Sequence, residues 1–250
     1  MKPILLLGDS CIDKFVYCKC ERLCPEAPVP LLDILHVEEN RGMAGNVHTN
    51  LLALECEAEF YTNLNYKNIV KTRYVDHKTN HMFIRIDTKA ELNTAYKDYS
   101  AQINLEDYSA VVISDYDKGF ITEEEIEFIS YNHPITFLDT KKIIGDWAKN
   151  IKFIKINRKE FKESEKSLTI KKIIITTLGS GGAIYRGIQY DVKDVEIKDL
   201  SGAGDTFLAG LVCKYLRTNN IEESINFANE CATDVVQKQG VTVISKYFAL

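Results

Sequence analysis

Short apolar runs that alternate with amphipathic stretches constrain the fold of this chain most. Ile4 to Leu7, Ala110 to Ser114, Ile135 to Asp139, Phe153 to Ile156 and Ile173 to Leu178 are β-branched-rich and almost continuously apolar. Strands covered on both faces of a parallel sheet read this way. Helical patterns lie between them. Val47, Leu51 and Leu54 share one helical face over residues 44–54. Thr122, with Glu125 three residues on, forms a capping-box pattern for a helix running to about Tyr131. Near the end, Phe207, Leu208, Leu211, Val212 and Tyr215 make one stripe, and Ile225, Ala228, Ala232 and Val235 another. The alternation predicts an α/β chain with an open, mainly parallel sheet covered by helices.

Two segments break this rhythm. Lys14 to Val37 holds two strand-like runs interrupted by three prolines. In Lys71 to Asp87, Met82, Ile84 and Ile86 alternate with Phe83, Arg85 and Asp87. Strict alternation suits an antiparallel sheet with one face uncovered. These segments, about 14–38 and 71–88, are expected to form a small β-sheet lid on one domain spanning 1–250.

Composition narrows the function. Hydrophobic residues at 45% and charged residues at 27% are globular values and exclude a mostly disordered chain. The net charge is 31 − 36 = −5, which disfavours a general nucleic-acid surface. No apolar run approaches the roughly 18 residues that span a bilayer, so no membrane partner is expected. The opening apolar run is short and followed by Asp9, unlike a signal peptide, so a cytoplasmic location is expected. Cys18, Cys20 and Cys24 lack the paired knuckles of structural zinc, and the seven cysteines are expected to be free thiols. The five histidines form no ligand spacing and are expected on the surface or lid, and Trp147 is expected in packing.

Chemistry concentrates in Asp199-Leu200-Ser201-Gly202-Ala203-Gly204-Asp205-Thr206-Phe207. Two glycines opening an amphipathic helix leave its first amides unobstructed, and with the helix dipole they form an anion hole. Asp205 lies within that turn, where a carboxylate either favours the helix N-terminus or acts as a general base. The spacing is neither the G-x-G-x-x-G of dinucleotide enzymes nor a Walker loop.

This nonapeptide resembles the C-terminal signature of the ribokinase-like (PfkB) carbohydrate kinases. The resemblance implies a ribokinase-like three-layer fold with a β-sheet lid, and ATP as phosphoryl donor. It implies that Asp205 is the catalytic base and that the amides of Gly202, Ala203 and Gly204 hold the transferring phosphoryl group. Gly8-Asp9-Ser10-Cys11-Ile12-Asp13 resembles the family's first turn, with Asp13 on sugar hydroxyls. Arg41-Gly42-Met43-Ala44-Gly45-Asn46 resembles the sugar-binding turn, with Gly42 and Asn46 as contacts and Met43 where a second Gly is usual. Asn157-Arg158-Lys159-Glu160 matches N-x-x-E, which arranges magnesium and phosphate mainly through water and implies Asn157 and Glu160 as nucleotide-binding residues. Thr177 to Gly182 resembles the nucleotide loop, with Thr177, Gly179 and Gly182 as contacts, and Asn229 matches a position beside adenine. Asp199 and Ser201 fall where many members bind a monovalent cation, potassium being the candidate.

Within the family, Arg22-Leu23-Cys24-Pro25-Glu26-Ala27-Pro28-Val29-Pro30 is similar to a segment of the heptose 7-phosphate kinases. These are the kinase half of bifunctional kinase/adenylyltransferases of lipopolysaccharide-core synthesis. Lys71-Thr72-Arg73, Arg85-Ile86-Asp87, Ser114 to Gly119 and Asp139-Thr140-Lys141 follow that branch in order. No nucleotidyltransferase H-x-G-H occurs in the sequence. The branch implies phosphorylation of the anomeric hydroxyl of D-glycero-D-manno-heptose 7-phosphate. Lys71, Arg73, Arg85, Lys118 and Lys141 are the candidate cations for the phosphate already on the sugar. Family lids often pair between subunits, which implies a homodimer. Against the family pattern the chain is shortened after Leu54 and between Glu163 and Ile173. The alternatives are therefore a kinase for another sugar or sugar phosphate, or a trimmed, non-catalytic pseudo-kinase serving as a binding module.

Overall fold

A computed structural model of the chain describes residues 2–167 and 173–245. The second shortened segment falls partly on 168–172, outside the described residues. The strands are β1 (Ile4–Gly8), β2 (Ser10–Leu23), β3 (Pro30–Met43), β4 (Ala58–Tyr61), β5 (Val70–Asp76), β6 (Met82–Asp87), β7 (Ala110–Asp115), β8 (Thr136–Thr140), β9 (Phe153–Asn157), β10 (Ile174–Thr177), β11 (Ala183–Tyr185) and β12 (Ile188–Tyr190). The helices are α1 (Ala44–Ala53), α2 (Lys97–Ser100), α3 (Glu123–Asn132), α4 (Arg158–Ser164), α5 (Ala203–Thr218) and α6 (Ile221–Val236).

An eight-stranded sheet runs in the order β12-β11-β10-β9-β8-β7-β1-β4. From β4 to β10 its pairs are parallel, while β11 and β12 extend it antiparallel. Period-2 alternation sends the side chains of each strand to two helical layers. Leu6, Val112, Phe137, Phe153 and Ile175 pack under Phe207, Leu208, Leu211 and Ile225 of α5 and α6. Leu5, Leu7, Val111, Ile113, Leu138 and Ile154 pack on the other face with Phe120, Ile126 and Ile129. Trp147 packs against this second core, as expected. The capping box at Thr122 and Glu125 is present.

The lid is a four-stranded sheet in the order β3-β2-β5-β6. Its strands cover 10–23, 30–43, 70–76 and 82–87, so the first pair runs longer at both ends than expected. The lid is not purely antiparallel, because β2 and β5 pair in parallel. The cause is topological: the chain leaves β2 and β3, passes through α1 and β4 in the body, and re-enters the lid in the direction of β2. The strip 58–61, in the region that reads as trimmed, is the edge strand β4 beside β1.

Two further expectations fail. His133 is buried at the end of α3, where its ring contacts the carbonyls of Tyr108 and Ile135. Cys56 and Cys213 are joined in a disulfide, because α1 packs against α5 and sets the turn after α1 beside that helix. Cys11, Cys18, Cys20, Cys24 and Cys231 are free thiols. No helix among the described residues is long and apolar enough to cross a membrane.

Candidate active site

The site is assembled at the carboxyl ends of the sheet strands, where open α/β sheets place their ligands. Its fixed point is α5. Phe207, Leu208, Leu211, Val212 and Tyr215 are buried in this helix. Gly210 lets it approach α6 closely, since a Cβ there would stand 2.9 Å from Cys231 Sγ. Gly202 precedes the helix with φ of 81°, a left-handed conformation that suits glycine. A Cβ at Gly202 would also stand 2.6 Å from Asn46 Nδ2. The turn is thereby closed against α1.

Asp205 is buried in the first turn of α5. Its Oδ2 accepts a hydrogen bond from Asn46 Nδ2 at 3.1 Å, and its Oδ1 accepts one from the Tyr116 hydroxyl at 2.7 Å. Burial pushes its carboxyl up to about 6, with the two hydrogen bonds and Lys155 opposing and Asp139 adding to the rise. A base poised near neutrality suits proton transfer from a hydroxyl. Lys155 and Asp139 face each other across β9 and β8 as a buried ion pair of 2.6 Å. A Cβ on Gly204 would lie 3.1 Å from Lys155 Nζ, so a buried cation sits directly behind the first amides of α5.

On the lid side, Asp13 Oδ1 accepts from Arg73 at 2.6 Å, and both side chains are largely buried. The residue expected on sugar hydroxyls and a cation expected at the distal phosphate thus form one pair. A Cβ on Gly42 would strike Asp13 Oδ2, which explains the glycine. Met43 adopts φ of 58°, so the position expected to be glycine keeps a glycine-like backbone despite its side chain. Lys71 and Lys141 set their ammonium groups 5.3 Å from the Tyr116 ring centre. Arg85 lies across the lid from Arg73 and grips Asp87 through two bonds of 2.7 Å. Lys118 has an exposed side chain and joins the site through its amide, which donates to Asp9.

On the other side of α5 lies a cavity of about 380 Å³. Thr177, Gly179, Gly182 and Asn229 line it, as do Ala203 and Gly204. Four of the expected nucleotide residues and two residues of the expected anion hole thus line one cavity. Apolar side chains of Val192, Val195, Ile197 and Val236 complete it.

Asn157 and Glu160 do not reach this cavity's lining. They form a capping box on α4, and Glu160 also pairs with Lys141. Asn157 Oδ1 accepts the amides of Lys159 and Glu160, and Glu160 Oε2 accepts the amide of Asn157. With these oxygens engaged, the pair fits a magnesium ion held through its water shell better than one ligated directly. Among the described residues, no group of three or more His, Cys, Asp and Glu is placed to hold a metal. Asp199 Oδ1 accepts the Ser201 amide, and its Oδ2 accepts Gly240 N at 3.2 Å. Asn80, at the tip of the β5–β6 hairpin, donates to the Lys198 carbonyl at 2.9 Å and faces Asp199 Oδ2 at 3.4 Å. The lid tip is therefore latched beside the position expected for the monovalent cation.

Sequence reasoning assigned no role to four residues at this centre. Tyr116, Asp139 and Lys155 surround Asp205, and Asp9 holds the loop after β7 through the amides of Tyr116, Lys118 and Phe120. Asp9 and Tyr116 follow buried strands, and Asp139 and Lys155 are polar residues within buried strands, which was the available signal.

The family profile described as "pfkB family carbohydrate kinase" matches residues 58–246. The chain belongs to the pfkB family of carbohydrate kinases. It is 28% identical over 291 aligned positions to the bifunctional protein HldE of Nitratiruptor sp., covering 96% of this chain and 63% of that protein. The chain thus spans less than two thirds of that relative's length. The aligned positions outnumber the chain's 250 residues, so the relative carries segments that this chain lacks. In fold it is similar to Arabidopsis thaliana ribokinase solved with ribose and ATP (TM-score 0.70, 15% identity, 99% of this chain and 97% of the other). It is also similar to Escherichia coli phosphofructokinase-2 solved with potassium (TM-score 0.73, 14% identity, 100% and 97%). These likenesses establish the ribokinase-like architecture.

Asp205 binds its proton more tightly in the folded chain than in the unfolded one. Its ionised form therefore costs stability fully above about pH 6 and not at all below the ordinary carboxylate value near 4. Asp205→Asn is expected to raise Tm by about 6–12 °C at pH 8, with the gain shrinking through pH 6 and gone near pH 4. Thermal melts across that range check the sign.

Proposed function

We propose that this chain is an ATP-dependent sugar kinase that phosphorylates the anomeric hydroxyl of D-glycero-D-manno-heptose 7-phosphate to give the 1,7-bisphosphate. The observation that carries the reading is the place of Asp205. It is a buried carboxylate whose helix opens on the cavity of about 380 Å³ and whose side chain accepts a hydrogen bond from Asn46, a residue expected on the sugar.

The chemistry follows from that placement. Asp205 takes the proton of the acceptor hydroxyl as its oxygen attacks the terminal phosphorus of ATP. The bond from that phosphorus to the bridging oxygen breaks, and its electron pair leaves on ADP. The amides of Gly202, Ala203 and Gly204, backed by the Lys155 cation, face the charge on the moving phosphoryl. Magnesium, when bound through water near Asn157 and Glu160, neutralises phosphate charge. Asp13, Gly42 and Asn46 form the sugar turn. Lys71, Arg73, Arg85, Lys118 and Lys141 are the candidates for the phosphate already present. Of these, Lys71 on the lid is favoured, because Arg73 is held by Asp13, Arg85 by Asp87 and Lys141 by Glu160. Potassium at Asp199 and Ser201 belongs to the same reading, as does a location in the cytoplasm.

A homodimer through the lid also belongs to it. The two edge strands, β3 and β6, expose Ile34, Leu35, Val37, Met82, Ile84 and Ile86. Unpaired, apolar edge strands tend to find a partner.

A coupled ADP-release assay across phosphorylated heptoses and hexoses tests the function. ADP release at least tenfold faster with heptose 7-phosphate than with hexose phosphates is expected. A preference for another sugar reassigns the substrate, and no release with any sugar supports the pseudo-kinase. Sedimentation of wild type and Ile84→Glu tests the assembly: a dimer that the substitution dissociates is expected, and a monomeric wild type contradicts it.

A further inference from the structure

We propose that Tyr116 is a positioning residue, whose hydroxyl orients the Asp205 carboxylate toward the acceptor and holds it ionised. The inference rests on the reading of Asp205 as the base. Tyr116 follows β7, and its backbone is fixed because its amide donates to Asp9 Oδ2 at 2.7 Å. Its ring is flanked by two ammonium groups, Lys71 from lid strand β5 and Lys141 from the loop after β8. With both ends of the residue held, the hydroxyl has one place to point, and it meets Asp205 Oδ1 at 2.7 Å. Asn46 holds the other oxygen from the opposite side. A carboxylate has about four lone-pair sites, so these two donors fix its plane and leave room for the acceptor hydroxyl.

The same hydrogen bond favours the charged form of a buried acid. Burial and the nearby carboxylates of Asp205, Asp139 and Asp13 push the phenol well above its ordinary range, so it remains an O–H donor at working pH. The other groups facing Asp205 are Asn46 on α1, Asp139 on β8 and Lys155 on β9. Cys11 on β2 and Lys141 also sense its charge. Asp139 opposes ionisation of Asp205 and Lys155 favours it. These two are bound to each other, which leaves the neutral donors Tyr116 and Asn46 to offset burial.

Tyr116→Phe removes the hydroxyl and keeps the ring between the lysines. Carbon NMR titration of the Asp205 carboxyl, assigned against Asp205→Asn, reads its ionisation directly. The midpoint is expected to rise by about one pH unit in Tyr116→Phe. With the sugar phosphate that wild type turns over fastest, kcat at pH 6 is expected to fall about fivefold, recovering as pH rises, with KM for ATP within about twofold. An unmoved midpoint, or a loss of kcat that is equal at every pH, overturns the inference. Undiminished turnover by Asp205→Asn would instead remove the base assignment. The carbon titration would still report whether Tyr116 governs that carboxyl.

Discussion

The burial of α5 is the constraint on which the rest depends. Five large side chains of that helix are removed from water. At roughly 1.5–3 kcal/mol each, they supply on the order of 10 kcal/mol before entropy is counted. Moving one carboxyl from its ordinary value to about 6 costs on the order of 3 kcal/mol. The anchored helix can therefore hold Asp205 in an unfavourable place. Gly210 and Gly202 permit it, one by bringing α6 close and the other by closing the turn on Asn46. The disulfide between Cys56 and Cys213 ties the far part of the same helix to the chain leaving α1.

From that helix the site divides into two halves. On one side the first amides open on a cavity walled by the loop after β10 and by α6. On the other, Asn46, Asp13 and the lid strands gather polar and cationic groups. The lid belongs to the body at more than one point. Phe15, Tyr17 and Val75 pack on Val241, and Asn80 binds the Lys198 carbonyl. Segments present in the HldE relative are missing here, while Asn46, Tyr116 and the first turn of α5 still meet at Asp205.

Much of this was legible in the sequence because it rests on local physics. The apolar runs, the Thr122 capping box and the glycine-opened α5 each follow from spacing within a dozen residues. The antiparallel extension by β11 and β12 was not legible, since three-residue strands carry little periodicity. The parallel pairing of β2 with β5 was hidden for another reason: alternation reports which face a residue lies on, not the direction of its neighbour. Tyr116, Asp139 and Lys155 were missed because their meaning arises from register. Ser114, Asp139 and Lys155 are aligned across β7, β8 and β9, and only the sheet brings them beneath Gly204 and Asp205. The Arg73–Asp13 pair was likewise invisible, being sixty residues apart in sequence. Met43 shows the converse, a departure from the family's usual glycine that still takes a positive φ of 58°.

The central claim is that a buried Asp205, between Asn46 and Tyr116, takes the acceptor proton while the α5 amides hold the phosphoryl group. Single-turnover phosphoryl transfer from ATP to heptose 7-phosphate, followed by phosphorus NMR in wild type and Asp205→Asn, tests it most directly. The account predicts a new phosphate resonance in wild type and a rate at least about a thousandfold lower in the variant, with ATP still bound. Transfer at the wild-type rate by Asp205→Asn would contradict it.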